Sequence, residues 1–178
     1  MHDRRVTARY GLLKTCDPVW LSRIISACAN SCDYGILTGN WNGNYEGGVS
    51  PVTWNGSVKI IHQYAETKTP VKFGQCWVFS GLMTTLLRTL GIPSRSVTNF
   101  QSAHDHDKTM TIDDFVDENN KTLKKSGDSV WNFHVWNEVW LKGTSHWPVE
   151  YAGWAAVDAT PQEESNEGFE PEILRGNE

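Results

Sequence analysis

The sequence contains no run of eighteen apolar residues, so no transmembrane helix is expected. No apolar h-region follows the polar, basic segment Met1 to Arg9, so no secretory signal is expected either. No cluster of Lys and Arg is large enough to suggest nucleic acid, and the formal net charge is -5, which argues against such a partner. Four Cys (16, 28, 32 and 76) are too few for a disulfide framework in a chain of this size. Cys28 and Cys32, four apart, have the spacing to face one another on a helix. No second Cys/His pair of matching spacing accompanies them, so two small buried residues is the better reading than a zinc pair. Internal repeats and low-complexity tracts are absent. The sequons Asn55-Gly56-Ser57 and Asn120-Lys121-Thr122 are of a kind that arises by chance and do not establish secretion. The compartment stays open between cytoplasmic and extracellular.

What is present is the composition of a soluble globular protein of ordinary domain size: 178 residues, 39% apolar and 21% charged. Nine Trp is high for this length, and several flank the residues singled out below. Val19, Leu21, Ile24, Ile25 and Ala29 predict an amphipathic helix over 17–30. Residues 39–57, dense in Gly, Asn, Trp and Tyr, read as a structured loop, and Ser57 opens a short helix through Tyr64. The clearest helix is 76–90, with Phe79, Leu82, Met83, Leu86, Leu87 and Leu90 at helical spacing, Gly91 as its stop and Pro93 barring continuation. Ser94–Phe100 reads as a strand. Residues 101–129 read as a long acidic loop with a helical turn around Ile112–Val116. Residues 130–141 alternate as a strand, with Asn132, His134, Trp136 and Glu138 on one face and Phe133, Val135, Asn137 and Val139 on the other. Another short strand covers 153–158, ended by Thr160-Pro161. Helices first and then several strands make an α+β plan.

Three of these positions carry potential chemistry. Cys76 starts a helix, where the positive end of the dipole favours a thiolate, the reactive form of cysteine. The plainer reading is a buried small residue. His134 lies in an aromatic strand, and a core histidine held by a backbone partner is its plainer reading. Asp158 closes an apolar strand, where an aspartate commonly caps the next turn, here Ala159-Thr160-Pro161. Together they form a Cys/His/Asp set. A second constellation is Asp105-His106-Asp107-Lys108-Thr109-Met110-Thr111, in which oxygen-bearing side chains recur at every second residue. Such alternation suits a hard cation, although the sixth-position glycine and twelfth-position glutamate of an EF-hand are missing. Carboxylates and hydroxyls outnumber the imidazoles of His104 and His106, so calcium matches better than zinc.

These residues also stand in longer motifs. Phe73-Gly74-Gln75-Cys76-Trp77-Val78-Phe79 resembles the nucleophile motif of animal transglutaminases. Gly91 to Phe100, Ser102-Ala103-His104-Asp105, Val130-Trp131-Asn132-Phe133-His134-Val135-Trp136-Asn137-Glu138 and Gly153 to Glu163 resemble further motifs of that family, in its order. The likeness is firm from Gly35 to Ser165. The resemblance implies a papain-like (cysteine-proteinase-like) core with the catalytic helix packed on an antiparallel sheet. It implies Cys76 as nucleophile, His134 as base and Asp158 as third member. It also implies Trp41 as an oxyanion donor beside the backbone N–H of Cys76, and Trp77 and Trp131 at the substrate tunnel. It puts Asp105, Asp107, Thr109, Thr111 and Asp128 at a calcium (Ca2+) site. The implied activity is calcium-dependent crosslinking of protein glutamine to lysine or polyamine amines through a thioester, with deamidation as a side reaction.

The chain also departs from the family. Around Asn30-Ser31-Cys32-Asp33-Tyr34 one residue is missing from an Asn/Asp-rich calcium loop and Cys32 intrudes, which leaves Asn30 and Asp33 as remaining candidates. Residues 1–165 are expected to be the catalytic core, partial at its N-terminal end, and 166–178 a loose acidic tail. The family's flanking β-sandwich and β-barrels are not in the sequence, so a fragment, partial gene product or truncated isoform is expected. Two competing functions stay open: a thiol protease or amidase using the same three residues, and a scaffold that binds without catalysis.

Overall fold

The computed structural model describes residues 17–105, 109–125, 127–143 and 147–161, with the side chains of Lys124 and Lys125 outside that description. The tail 166–178 therefore lies outside the described residues. The chain divides into two compact units, one of residues 1–97 and 136–178, the other of residues 98–135.

In the first unit, helix α1 (Pro18–Ala29) begins where Asp17 accepts a hydrogen bond from the Val19 N–H at 2.8 Å and Pro18 pre-sets the first turn. It ends at Ala29, and a 3-10 turn at Ser31–Asp33 follows. Cys28 and Cys32 are thus not on one helix face, because Asn30 turns the chain by accepting the Cys32 N–H at 3.0 Å. Two short strands, β1 (Leu37–Gly39) and β2 (Val71–Gly74), pair in parallel and bracket α2 (Ser57–Thr67). Neither strand is legible in the sequence, since three or four residues carry too little periodicity. Helix α2 runs three residues past its expected end, to a left-handed Lys68.

Helix α3 (Cys76–Thr89) is the centre of the core, with Phe79, Leu82, Met83 and Leu87 fully buried. It stops as the sequence predicts. Gly91 takes φ +83°, and its N–H and that of Ile92 return to the carbonyls of Arg88 and Leu87, each at 3.0 Å. Strands β3 (Ser94–His104), β6 (Ser129–Leu141) and β7 (Gly153–Val157) form one sheet in the order β3-β6-β7. The β6–β7 pair is antiparallel, with Asn137 opposite Val157 and Leu141 opposite Gly153. Of the expected face Phe133, Val135, Asn137 and Val139, the last three are buried and Leu141 continues it, whereas Phe133 is exposed. A polar seam joins α3 to this sheet. Ser80 Oγ lies 3.0 Å from the Trp136 carbonyl and 2.7 Å from Ser96 Oγ, while Asn137 Nδ2 donates to Thr84 Oγ1 at 2.7 Å. The mixed helix and antiparallel-sheet architecture agrees with the expected α+β class.

In the second unit, the expected helical turn around 112–116 is corrected. Asp114–Val116 (β4) and Thr122–Lys125 (β5) form an antiparallel hairpin instead. Asp117 makes the turn by accepting the N–H groups of Asn119 and Lys121, each at 2.8 Å, with Asn120 left-handed at φ +61°. Cross-strand pairing outweighs any helical preference in a segment this short and acidic. Strand β3 also runs on to His104, past its expected end at Phe100.

Candidate active site

Cys76 is the first residue of α3 and is buried, 4% exposed. The extended Gln75 precedes it as N-cap, and the Gln75 carbonyl accepts the N–H groups of Val78 at 2.8 Å and Phe79 at 3.1 Å. The first N–H groups of a helix have no intrahelical acceptor, so the Cys76 amide has the geometry to donate outward, toward whatever bonds to its sulfur. Trp77 packs half-buried against the apolar core.

Trp41 follows β1. The register of the parallel pair sets Gly39 beside Gly74, two residues before Cys76. The Trp41 ring covers Gly39 so closely that a Cβ there would stand 2.8 Å from Trp41 Cη2 and 3.2 Å from Pro161 Cγ. A side chain at this position would displace the Trp41 ring. Pro161 belongs to the turn after β7, so the Trp41 ring and the segment carrying Asp158 meet at one point. Asp158 caps that turn, as one of its expected roles had it: its Oδ1 accepts the Thr160 N–H at 2.8 Å. Its carbonyl accepts the Ser26 hydroxyl of α1 at 2.9 Å. Both bonds fix the aspartate's backbone and one carboxylate oxygen.

The loop between β1 and α2 was read as structured, and a ladder of side-chain turns accounts for it. Asn40, Asn42 and Asn44 each accept, through Oδ1, the N–H two residues on, at 2.8 to 3.0 Å. The sequence reading missed how this loop is tied to the cysteine helix. Gln75 Nε2 donates to the Asn40 carbonyl at 2.9 Å and to Tyr45 Oη at 3.2 Å, and the Asn40 N–H donates to the Gly74 carbonyl at 3.1 Å. No local sequence signal links residues 30 and 35 positions apart.

His134 and Trp131 lie in the second unit, both half-buried on β6. The Trp131 ring meets His134 edge-on at 5.5 Å between centroids and stacks on His104 at 4.7 Å. Trp131 Nε1 donates to Ser129 Oγ at 3.1 Å. The imidazole is thus held against an aromatic wall whose orientation is itself fixed.

The oxygen-rich loop belongs to the same unit. Asp105 Oδ2 accepts the Met110 N–H at 2.7 Å, Thr109 and Thr111 hydroxyls lie 2.8 Å apart, and Thr111 donates to Asp113 Oδ1 at 2.9 Å. The Asp113 N–H donates to Asp128 Oδ2 at 3.0 Å, which draws the distant Asp128 to the loop. Asp107 lies outside the described residues. Asp113 was missed, although it continues the alternate-residue series by one more step. Among the described residues no group of three or more His, Cys, Asp or Glu stands close enough to hold a metal ion by itself. The donors are carboxylates and hydroxyls, the chemistry of a hard cation. At the doubtful loop, Asn30 is 5% exposed and its side chain serves the turn, accepting the Cys32 N–H.

Among the described residues no helix is long and apolar enough to cross a membrane. Comparison with known proteins gives a consistent result. The model of the Transglutaminase-like superfamily, described as Transglut_core, matches residues 23–159, a span that includes Cys76, His134 and Asp158. Protein-glutamine gamma-glutamyltransferase E of Mus musculus is 51% identical over 156 residues, 86% of this chain and 22% of that protein. Protein-glutamine gamma-glutamyltransferase K of Homo sapiens is 53% identical over 152 residues, 84% of this chain and 18% of that protein. The crystal structure of red sea bream transglutaminase superposes with a TM-score of 0.75 at 45% identity, covering 86% of this chain and 23% of that one. The chain spans about a fifth of the length of the curated relatives it matches. With the cysteine helix, the antiparallel sheet and the motif order all in agreement, the chain belongs to the Transglutaminase-like superfamily.

Proposed function

We propose that this chain is a protein-glutamine gamma-glutamyltransferase core, which transfers the acyl group of a protein glutamine to a lysine or polyamine amine. The observation that carries the reading is Cys76 at the first position of α3, inside a family match that also spans His134 and Asp158. Relatives named protein-glutamine gamma-glutamyltransferases at about half identity support it.

In this reading the Cys76 thiolate attacks the γ-carboxamide carbon and a C–S bond forms. The Trp41 indole N–H and the Cys76 amide stabilise the tetrahedral oxyanion, each donor contributing about 3 kcal/mol by analogy with other acyl-transfer enzymes. The C–N bond breaks as His134 gives its proton to the departing ammonia. An amine then attacks the thioester and gives its proton to His134. The C–S bond breaks, leaving an isopeptide and the thiolate; water in place of the amine gives the glutamate of deamidation. Asp158 holds the imidazole in the productive tautomer and stabilises its charged form. Trp41, Trp77 and Trp131 exclude water and so favour the amine.

Calcium dependence belongs to the same proposal. Asp105, Thr109, Thr111 and Asp128, with Asp107, would supply oxygens, and Asp113 is drawn into the same bonded loop. Calcium held by these oxygens would supply positive charge to the acidic loop. The test is incorporation of a fluorescent primary amine into a glutamine-rich protein, with calcium and with chelator. Calcium-dependent labelling that disappears in Cys76→Ala is expected; labelling retained in Cys76→Ala overturns the reading.

A further inference from the structure

We infer that Gln75 is a positioning residue of this site: its carboxamide clamps the loop carrying Trp41 to the start of the cysteine helix. The inference rests on the oxyanion role proposed for Trp41 and adds the device that holds it. Gln75 sits at the N-cap of α3, a position usually capped by Ser, Thr, Asp or Asn, and its longer side chain makes no capping bond. Its Nε2 reaches across to two acceptors, the Asn40 carbonyl at 2.9 Å and Tyr45 Oη at 3.2 Å. A carbonyl oxygen accepts only, so the amide orientation is fixed by chemistry. Asn40 and Tyr45 bracket Trp41 in sequence. The Asn40 N–H returns to the Gly74 carbonyl, so Asn40 is held on both its amide groups by Gly74 and Gln75.

Two further contacts make the clamp stiff. The Tyr45 ring lies against Phe73, with centroids 6.1 Å apart, which anchors the far acceptor to β2. The Asn40 side chain bridges the loop internally, donating to the Asn44 carbonyl at 2.8 Å and accepting from the Asn42 N–H at 2.9 Å. Trp41 itself is 44% exposed, too exposed for burial to orient it. Its placement over Gly39 therefore depends on the backbone that the clamp fixes. Gln75 touches neither substrate nor sulfur in this account and acts only through Trp41.

The variants are Gln75→Met, which keeps length and neutrality but has no donor, and Tyr45→Phe, which keeps the ring against Phe73 and removes the acceptor oxygen. The full chain is used, with hydroxylamine and an N-blocked Gln-Gly dipeptide in excess calcium. Gln75→Met should lower kcat about 10-fold or more with KM within about 2-fold, because the loss falls on the transition state. In a Trp41→Phe background the same change should cost less than about 2-fold. Equal, independent losses in both backgrounds overturn the inference. Loss of turnover in Trp41→Phe with full activity in Gln75→Met overturns the clamp alone, whereas full activity in Trp41→Phe overturns the oxyanion reading.

A second measurement needs no turnover. In 5-fluorotryptophan-labelled protein, the 19F line lost in Trp41→Phe identifies Trp41. That line should move toward the free-amino-acid position in Gln75→Met, and part of the way in Tyr45→Phe, while the remaining lines hold. A Trp41 line unmoved in both folded variants overturns the inference whatever the activity.

Discussion

The Asn137 carboxamide, fully buried on the sheet, donates to the Thr84 hydroxyl of the cysteine helix at 2.7 Å and to the Ser80 carbonyl at 3.1 Å. A polar side chain on the inward face of a strand is costly unless it is bonded, and here both donated bonds cross to α3. They fix the rotation and height of that helix against the strand. Asn137→Ala should cost about 2–3 kcal/mol, from two lost bonds and a small void. Asn137→Val should cost less, because it refills the volume. Urea midpoints of the two variants decide it; an alanine variant within about 0.5 kcal/mol of the parent would sink the account.

Gly39→Ala separates activity from stability. The added methyl overlaps the Trp41 ring and presses on Pro161, so the ring must move. Trp41 is the partner with solvent beside it, so it should swing outward at a cost below about 1 kcal/mol. Amine incorporation should nevertheless fall about 10- to 100-fold, because the oxyanion donor leaves with the ring. An unchanged rate in the folded variant would remove Trp41 from the mechanism.

Cys32 is exposed where Cys76 is buried. The burial its thiol does have, and then the adjacent Asp33 carboxylate, push its pKa up. A raised folded pKa means the folded state holds its proton more tightly. Any stability from this group is therefore present below the ordinary thiol pKa and lost as pH rises through the folded one. Cys32 alkylation should rise later with pH than that of a free cysteine peptide. Asp33→Asn should bring the profile back toward the peptide. Mass-resolved alkylation across alkaline pH reads both, and a profile at or below the peptide's contradicts the assignment.

The cysteine helix and histidine strand were legible because each repeats its signal. Four buried residues of α3 fall at helical spacing, and β6 buries every second residue from Val135 to Leu141. Gly91 announced the helix end because only a left-handed residue lets Ile92 return to Leu87. The parallel β1–β2 pair was hidden because its partners are 34 residues apart, Leu37 to Val71, and neither strand is long enough to show a period. The hairpin of β4 and β5 was misread for a related reason: its strands are short and exposed, so pairing rather than burial defines them. At the site, the Cys/His/Asp set stood out by residue type. The Gln75 clamp did not, because a glutamine next to a cysteine carries no pattern and its partners become neighbours only after the loop folds.

Calcium addition gives the last prediction, and Asp113 sharpens it. Asp113 accepts from the Thr111 hydroxyl and its N–H donates to Asp128, while Asp105 accepts the Met110 N–H of the same loop. An ion that binds only the folded loop must stabilise it. At 100 times its dissociation constant, calcium should add about 2.7 kcal/mol to stability and raise the melting temperature. Magnesium should do less, since it gives up its water reluctantly and demands octahedral geometry. Asp128→Asn should weaken binding about 10-fold or more by calorimetry. Asp113→Asn should have a smaller effect if its main part is to hold Thr111 and Asp128, and an equal one if its carboxylate is a ligand. Neither a binding heat nor a melting shift from calcium would show that this chain does not use the loop as a cation site, and the calcium part of the proposed function would fall with it.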